Sequence, residues 1–339
     1  MKANNIRFGI AGTGKISGLM IKGAARVPGF EAAAVFSRTK ERGEAFASEY
    51  GIPHVYTSLE EMVSGNDIDA VYIATPNYAH CRQSIVCMVH GKHVLCEKPL
   101  SVTRAEAEEM IKVARDNGVV LMEAMKSTLS DGFRAIADNL WQIGRPRRYF
   151  ASYCQYSSRY DSYKEGIVLN AFRSDLGNGA AMDIGVYTIY PMVALFGEPQ
   201  SVYSSSVMLE SGVDGQGSAI FSYPGMQADV IYSKISDSSL PSEIQGEDGS
   251  LLIERINTIG RVILKKRGKD TSVIYEADPS INEYGKEMEE FIRLINEGKR
   301  ESAVNSHANS LITISLLEKI RGHFVPKILS PASPSPGTI

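Results

Sequence analysis

Cysteine is scarce in this chain and shows no pairing pattern. Four cysteines occur among 339 residues, without CxxC spacing and with apolar neighbours: Cys81, Cys87, Cys96 and Cys154. Such cysteines are typical of buried free thiols in a reducing compartment and not of disulfides or a metal centre. We therefore expect a cytoplasmic protein with no metal site.

A large excess of charge is also missing. Lys and Arg number 36 against 39 Asp and Glu, and the basic clusters at 145–148 and 265–267 are short and far apart. They are typical of solvated strand ends, so we expect no nucleic-acid partner. The chain has no uninterrupted apolar run of 18 residues, and it enters a strand at once without a signal-peptide pattern. We therefore expect no membrane partner.

What is present indicates two globular domains. The chain is 43% hydrophobic and 22% charged, an ordinary balance for a soluble protein, and its length suits about two domains. In the first third, apolar runs of strand length alternate with stretches of helical period, which predicts a parallel α/β sheet. These runs are 6–11, 30–36, 70–74, 93–96 and 119–124. We place the first domain at residues 1–124.

The pattern changes after residue 124. A helix is predicted at 130–141, and two amphipathic helices are predicted at 282–297 and 305–323. Between them, alternating segments predict a large, mainly antiparallel sheet. These segments are 148–156, 202–209, 218–223, 228–233, 242–246, 251–254, 261–265 and 272–275. We therefore expect an α+β domain over 125–325 and a flexible Pro/Ser-rich tail over 326–339.

A glycine-rich turn directly follows the first predicted strand. Its glycines permit a tight turn and let the backbone approach a pyrophosphate at the start of the next helix. Ser17 stands where the third glycine of the usual pattern would be. The predicted dinucleotide contacts of this turn are Gly12, Thr13, Gly14, Lys15 and Ile16.

The end of the second strand bears on which dinucleotide binds. NAD enzymes usually place an acid there for the ribose 2′-hydroxyl, whereas NADP enzymes supply a cation for the 2′-phosphate. This chain has Ser37 and Arg38 there, and its first acid is Glu41. We therefore predict NADP, with NAD still possible, because Ser37 can also be a helix cap and Arg38 an ordinary surface residue.

Two later strand ends carry further candidates. In open α/β sheets, ligands bind outside the carboxyl ends of the strands. The fourth strand is followed by a Pro-Asn turn, and the fifth by an acid and a lysine before Pro99. The predicted cofactor residues are Thr75, Pro76, Asn77, His80, Glu97 and Lys98. For Asn77, helix capping is the alternative.

The second domain contributes one constellation, a glycine-rich turn over 177–185 that enters a helix. The i, i+4 spacing of Asp183 and Tyr187 places both on one helix face. An aspartate near a helix start is also a common cap, so that interpretation stays open.

Together these motifs resemble the glucose-fructose oxidoreductase and inositol dehydrogenase family (Gfo/Idh/MocA). The resemblance covers nearly the whole chain, through segments 11–17, 74–80, 96–103, 179–185 and 245–254. It implies a Rossmann domain, an open-sheet domain, and a homodimer or homotetramer formed through that sheet. It also implies that Lys98 and Asp183 flank the reacting carbon. Many members carry histidine at the position of Tyr187, and the tyrosine version is similar to the branch of dihydrodiol and NADP-linked xylose dehydrogenases.

The resemblance implies an NAD(P)-dependent oxidoreductase that transfers hydride to or from a secondary alcohol or carbonyl of a sugar, polyol or related cyclic alcohol. We assign Tyr187 as the proton-transfer group, Lys98 as the cation that lowers its pKa, and Asp183 as the group that binds a substrate hydroxyl and orients Lys98. The roles of Lys98 and Tyr187 can be exchanged. Predicted substrate contacts, with ordinary surface positions as the alternative, are Glu123, Arg159, Tyr160, Arg173 and Tyr284.

Two other functions stay open for the same scaffold. One is a redox-assisted glycosidase that keeps its dinucleotide bound, and the other is a non-catalytic sugar or dinucleotide sensor. Met125, Lys126 and Ser127 replace the aromatic and arginine that many sugar-oxidising relatives carry after Glu123-Ala124. The substrate is therefore not identified by the sequence.

Overall fold

A computed structural model describes residues 5–280 and 282–322. Its N-terminal part is a six-stranded parallel sheet with strand order β3-β2-β1-β4-β5-β6. The strands are β1 (Ile6–Ala11), β2 (Phe30–Phe36), β3 (His54–Tyr56), β4 (Ala70–Ile73), β5 (His93–Glu97) and β6 (Leu121–Ala124). The parallel α/β prediction is confirmed. β3, at three residues, is too short for its periodicity to be recognised in the sequence.

Helices cover both faces of this sheet. They are α1 (Lys15–Ala24), α2 (Lys40–Tyr50), α3 (Leu59–Ser64), α4 (His80–Val89) and α5 (Arg104–Asp116). A capping box starts α5: Thr103 accepts a hydrogen bond from the Glu106 amide, and the Glu106 carboxylate accepts one from the Thr103 amide. Such reciprocal capping satisfies two amides that the helix itself leaves free.

The C-terminal part is an eight-stranded sheet with order β14-β13-β12-β11-β7-β10-β9-β8. The central pair β7 and β10 is parallel and the other pairs are antiparallel, which confirms the predicted mainly antiparallel sheet. The strands are β7 (Pro146–Cys154), β8 (Ser201–Met208), β9 (Asp214–Tyr223), β10 (Met226–Ser233), β11 (Ser242–Gly246), β12 (Gly249–Ile253), β13 (Arg261–Lys266) and β14 (Ser272–Glu276).

One face of the second sheet packs on helices, and the largest apolar core lies between them. The helices of this half are α6 (Asp131–Asn139), α7 (Tyr160–Lys164), α8 (Val186–Phe196), α9 (Glu283–Asn296) and α10 (His307–Gly322). The segment Ser174–Phe196 is long and apolar enough to cross a membrane, but 72% of its most apolar window is buried inside the protein. Its apolar character is therefore explained by its burial in the protein core.

Helix α9 returns to the first sheet. Its residues Met288, Phe291 and Ile292 join Phe8 and Met20 in one core cluster. The chain thus crosses between the two sheets more than once, and the predicted boundary at 124/125 stays a prediction. The predicted tail, 326–339, lies outside the described residues.

The cysteines are free. Cys81, Cys87 and Cys96 are buried as expected, whereas Cys154 is half-buried near the end of β7. Burial raises the pKa of the Cys81 thiol to about 11, so this group stays protonated at neutral pH.

Candidate active site

A cleft of about 1030 Å³ lies between the carboxyl ends of the parallel strands and the second sheet. Ligands of open α/β sheets bind at this edge. Most of the residues predicted for the cofactor line the cleft: Gly12, Thr13, Gly14, Ile16, Ser37, Arg38, Thr75, Pro76, Asn77, His80, Glu97 and Lys98. Lys15 is exposed and is not part of the lining.

The glycine-rich turn has a backbone that requires its first glycine. Gly12 has φ of 110°, and a Cβ there would come within 2.7 Å of the Ala74 carbonyl oxygen. At Gly14, a Cβ would meet nothing within 4 Å, so the start of α1 faces open space. Ser17 donates a hydrogen bond of 2.8 Å to the Gly12 carbonyl and stiffens the turn. Free amides at the start of α1 beside open space fit a pyrophosphate.

The far end of the cleft carries two arginines. Arg38 and Arg42 are exposed in the lining, and neither forms an ion pair with another described residue. Ser37 is buried, and the residue at the N-cap of α2 is Thr39, so the capping interpretation of Ser37 is wrong. This end fits a 2′-phosphate. Sequence reasoning missed Arg42, although it follows Arg38 by one helical turn.

The turn after β4 holds the two parts of the protein together. The Asn77 side-chain amide donates to the Gly177 carbonyl at 3.0 Å and to the Asn178 side-chain oxygen at 3.2 Å. The N-caps of the two helical segments that follow β4 are Pro76 and Ala79, so the helix-capping alternative for Asn77 is wrong. A cofactor contact of Asn77 stays a prediction.

His80 supports the segment that carries Lys98 and Pro99, which we call the lysine loop. It is 1% exposed, and its ring nitrogens lie 2.9 Å from the carbonyl oxygens of Pro99 and Thr75. Burial lowers the pKa of His80. The histidine thus joins the ends of β4 and β5, with the cis Lys98–Pro99 bond above it.

Lys98, from the end of β5, reaches across the cleft to Asp183. Its Nζ lies 2.8 Å from the Asp183 carbonyl oxygen and 3.1 Å from Asp183 Oδ1. The other carboxylate oxygen, Oδ2, accepts a 2.7 Å hydrogen bond from Lys234 Nζ. Asp183 therefore lies between two ammonium groups. Sequence reasoning missed Lys234, because no motif surrounds it.

A π-helical turn, Ala181–Gly185, presents Asp183 to the lysines. At the start of this turn the Ala181 amide donates to Asp214 Oδ2 at 2.7 Å, while the Asp183 carboxylate binds the two lysines. Asp183 lies in the first turn, so a stabilising effect on the helix dipole stays open beside its contact with the lysines. Burial by itself raises the pKa of Asp183. The positive charges of Lys98 and Lys234 outweigh burial, so the pKa of Asp183 lies well below its ordinary value. Burial by itself lowers the pKa of Lys98. The negative charges of Asp183 and Glu97 outweigh burial, so the pKa of Lys98 lies above its ordinary value.

Tyr187 lies beside this charge cluster. Its ring packs edge-on against Tyr153, with centroids 5.7 Å apart, and Lys98 Nζ lies 4.7 Å from the ring centre. Burial, together with the Glu97 carboxylate, raises the pKa of Tyr187 well above its ordinary value. The expectation that Lys98 lowers it is wrong, because burial and the Glu97 carboxylate outweigh the lysine, which is bound to Asp183 and lies over the ring face.

The predicted substrate contacts separate into two groups. Arg159 and Tyr284 line the cleft. Tyr160 packs on Tyr163 and Phe172, and Arg173 is ion-paired with Asp175, so neither is part of the lining.

Glu123 lies in the interior, not in the cleft. It is 2% exposed and accepts a 2.9 Å hydrogen bond from the Leu100 amide. Burial raises the pKa of Glu123 to about 7. Its placement below the lysine loop makes it a support for that loop, which corrects its assignment as a substrate contact.

Lys126 is a further cleft residue. Its Nζ binds the Glu283 carboxylate at 2.5 Å, the Asn257 carbonyl at 3.0 Å and Thr258 Oγ1 at 3.1 Å. It thus ties the end of β6 to the β12–β13 connection and to α9. It lies two residues after β6, in the segment where the sequence departs from many sugar-oxidising relatives.

Comparison with known proteins agrees with this geometry. Residues 6–125 match the GFO_IDH_MocA oxidoreductase family with NAD-binding Rossmann fold, and residues 141–252 match the GFO/IDH/MocA C-terminal domain. Scyllo-inositol 2-dehydrogenase (NADP(+)) from Bacillus subtilis (strain 168) is 48% identical over 316 residues, which cover 93% of this chain and 96% of that protein. The uncharacterized oxidoreductase YgjR from Escherichia coli (strain K12) is 40% identical over 316 residues, covering 93% and 95%.

A solved structure is also similar. The 3-ketoreductase from Actinomadura kijaniata, in complex with NADP and TDP-benzene, superposes with a TM-score of 0.81 at 25% identity, covering 94% of this chain and 98% of that one. Both family domains match this chain in order, and a relative nearly half identical spans almost its whole length. The protein therefore belongs to the Gfo/Idh/MocA family of oxidoreductases.

Proposed function

We propose that the protein is an NADP-preferring dehydrogenase or reductase acting on a polyol, sugar or related cyclic alcohol. The observation that carries the proposal is the placement of Lys98, Asp183 and Tyr187 at one end of a cleft whose other end holds Arg38 and Arg42. One end suits chemistry on a hydroxyl group, and the other suits a phosphorylated ribose. The relative that is 48% identical is an NADP-dependent inositol dehydrogenase by name.

The residues of the cleft fit the dinucleotide along its length. The start of α1 would hold the pyrophosphate, and Ser37, Arg38 and Arg42 would hold the 2′-phosphate. Glu97, Lys98 and Tyr284 lie at the end where the nicotinamide belongs. When bound, the nicotinamide accepts or donates the hydride at its C4 atom.

Lys98 and Tyr187 are the proposed groups for the proton transfer that accompanies hydride transfer. Both groups carry their proton at neutral pH, because the pKa of each lies above its ordinary value. In the reducing direction one of them donates its proton to the oxygen that gains charge as hydride arrives. In the oxidising direction one of them must first lose its proton, so oxidation requires higher pH.

Asp183 has a double role in the proposal. It binds and orients Lys98, and its carboxylate accepts a hydrogen bond from a second hydroxyl of the substrate. A vicinal diol, as in a cyclic polyol, offers both hydroxyls at suitable spacing. Arg159 and Tyr284 line the same cleft and are proposed as further substrate contacts.

Cofactor titration and a substrate panel test the proposal. NADP and NAD are each titrated by fluorescence, and the absorbance of the reduced nicotinamide is then followed with inositols, other polyols, aldoses and cyclic diols. Tighter NAD binding overturns the NADP assignment. A cofactor that stays bound through gel filtration, with glycoside cleavage and no net reduction, favours the glycosidase. Binding without any turnover favours the sensor.

We also propose that copies of the chain associate through the open face of the second sheet. Tyr203, Ile220, Phe150, Leu252, Ile263 and Val273 occupy one cross-strand row together with Asp229 and Glu243. Tyr203 is 69% exposed and Ile220 is 44% exposed. A second copy would bury this apolar row, giving a homodimer or the dimer unit of a tetramer. We also propose that the protein is cytoplasmic.

A further inference from the structure

Lys234 is a buried lysine outside the predicted catalytic set of Lys98, Asp183 and Tyr187. It directly follows β10, and its side chain is 3% exposed. Its Nζ binds Asp183 Oδ2 at 2.7 Å and the Ala171 carbonyl at 3.2 Å, and lies 5.3 Å from the centre of the Phe172 ring. Its backbone is held as well, since its amide donates to Gly215 and its carbonyl accepts from Ser157.

The two lysine side chains at this point are largely buried, at 12% and 3% exposure, whereas the Asp183 side chain is 44% exposed. One carboxylate is shared by two ammonium groups, although one lysine would suffice to neutralise it. A buried charge is costly unless it is paired and hydrogen-bonded. Within the triad of Lys98, Asp183 and Lys234 the charges sum to one positive charge, and the neighbouring Glu97 carboxylate, which also acts on Lys98, offsets it.

The geometry also divides the carboxylate between its partners. Lys234 takes Oδ2, and this leaves Oδ1 directed at Lys98. Without Lys234, the carboxylate is free to rotate about its terminal bond, and Lys98 keeps only the Asp183 main-chain carbonyl as a fixed partner. Small misplacements of reacting groups can cost about 100-fold in rate.

We propose that Lys234 is a positioning residue of the reaction, which fixes the Asp183 carboxylate toward Lys98 and adds a second ammonium that favours negative charge on the substrate oxygen. This rests on the proposed function, because the oxygen in question is the one that loses or gains the proton during hydride transfer. Pre-oriented charge in a site with little water stabilises such an oxygen more than mobile charge in solvent does.

The competing role for Lys234 is structural. It ties residues 171 and 172 to the end of β10, and a lysine can do that without affecting chemistry. Lys92 is a matched control, because it is also buried and its Nζ binds two backbone carbonyls, Gly65 at 2.8 Å and Ile68 at 2.9 Å, without being part of the cleft lining.

The test compares Lys234→Met, Lys234→Arg and Lys92→Met in the full chain. For Lys234→Met we expect NADP affinity within about threefold of wild type and kcat lower by roughly 10- to 100-fold. The pH profile for oxidation should move to higher pH, because loss of a cation disfavours the deprotonated form of Tyr187 and of Lys98. Lys234→Arg should restore the pH profile and most of kcat. Lys92→Met should lower the melting temperature and leave the profile unchanged.

A second measurement does not depend on turnover. Carboxyl signals of ¹³C-labelled aspartate, followed by NMR against pH, report the titration of Asp183, assigned with Asp183→Asn. We expect the pKa of Asp183 to increase in Lys234→Met and to return toward wild type in Lys234→Arg. An unchanged Asp183 titration, or active Lys234→Met with the wild-type pH profile, overturns the proposal. A wild type without turnover on the whole panel counts against the proposed function instead, and the NMR result still decides the role of Lys234.

Discussion

Lys98 holds its Nζ 4.7 Å from the centre of the Tyr187 ring. The ammonium thus contacts the aromatic face, while its hydrogen bonds go to Asp183. A cation over the ring is attracted by the π-electrons. In this arrangement Lys98 and Tyr187 both keep their protons at neutral pH, so the site is set to deliver a proton.

Replacing Lys98 tests whether this lysine has a catalytic or a structural role. In Lys98→Met we expect kcat to fall by roughly 100-fold or more, the usual size of an acid–base contribution, with NADP binding within a few fold of wild type. Steady-state kinetics and fluorescence titration measure the two. Lys112→Met, at an exposed position on α5, is the control. Wild-type turnover in Lys98→Met would defeat this role while leaving the fold assignment intact.

Removing the hydroxyl of Tyr187 tests proton transfer. Tyr187→Phe keeps the ring contact with Tyr153 and should lower kcat by roughly 100-fold. For the wild type, oxidation should accelerate from pH 7 toward pH 10 or higher, because the pKa values of Tyr187 and Lys98 both lie above their ordinary values. Tyr190→Phe, on the same helix and bonded to Ser310, is the control. An oxidation rate that reaches its plateau below pH 7 would contradict the assignment.

The two arginines at the far end of the cleft should set the cofactor preference. Loss of a charge-assisted hydrogen bond costs about 1.5 to 3 kcal/mol, so Arg38→Ala and Arg42→Ala should each weaken NADP binding at least about tenfold and leave NAD binding nearly unchanged. Isothermal titration with both cofactors measures this. Lys40→Ala, whose side chain pairs with Glu44, is the control. Equal losses for NADP and NAD in the arginine variants would point to a structural effect.

A charge on the open sheet face tests assembly. Ile220→Lys places an ammonium in the apolar row and should convert the oligomer to a monomer, as measured by light scattering. Val89→Lys alters an exposed apolar residue on α4 instead and should leave the mass unchanged. A wild type that is already monomeric at micromolar concentration would rule out this interface.

Glu123 should make stability depend on pH. Burial raises its pKa to about 7, above the ordinary 4.5, so its stabilising contribution is complete below pH 4.5 and is lost as pH rises through 7. Glu123→Gln, which stays neutral, should lose less stability between pH 5 and pH 8, by on the order of 2 to 3 kcal/mol. Calorimetry at both pH values compares the two proteins. Equal losses would show that Glu123 is ionised in the folded protein.

Much of the fold followed from local pattern. The first two strands were predicted with the bounds that the structure has, 6–11 and 30–36. Alternation of side chains along a strand depends on its own residues, so such segments can be recognised singly. Strand β3 failed this test, because three residues hold too little periodicity and its pairing with β2 is what defines it.

The sequence alone determined the family resemblance, the glycine-rich turn and the candidates Lys98, Asp183 and Tyr187, since each lies in a short motif whose chemistry depends on neighbouring residues. The tertiary structure decided which charged side chains contact each other. Lys98 is 85 residues from Asp183, and Lys234 is 51 residues from it. The first contact arises where the end of β5 meets the turn Ala181–Gly185, and the second arises where the end of β10 packs on that turn. It also moved Glu123 into the interior and raised the pKa of Tyr187. Both effects depend on burial, which is a property of all the residues packed around a group and cannot be obtained from its own segment.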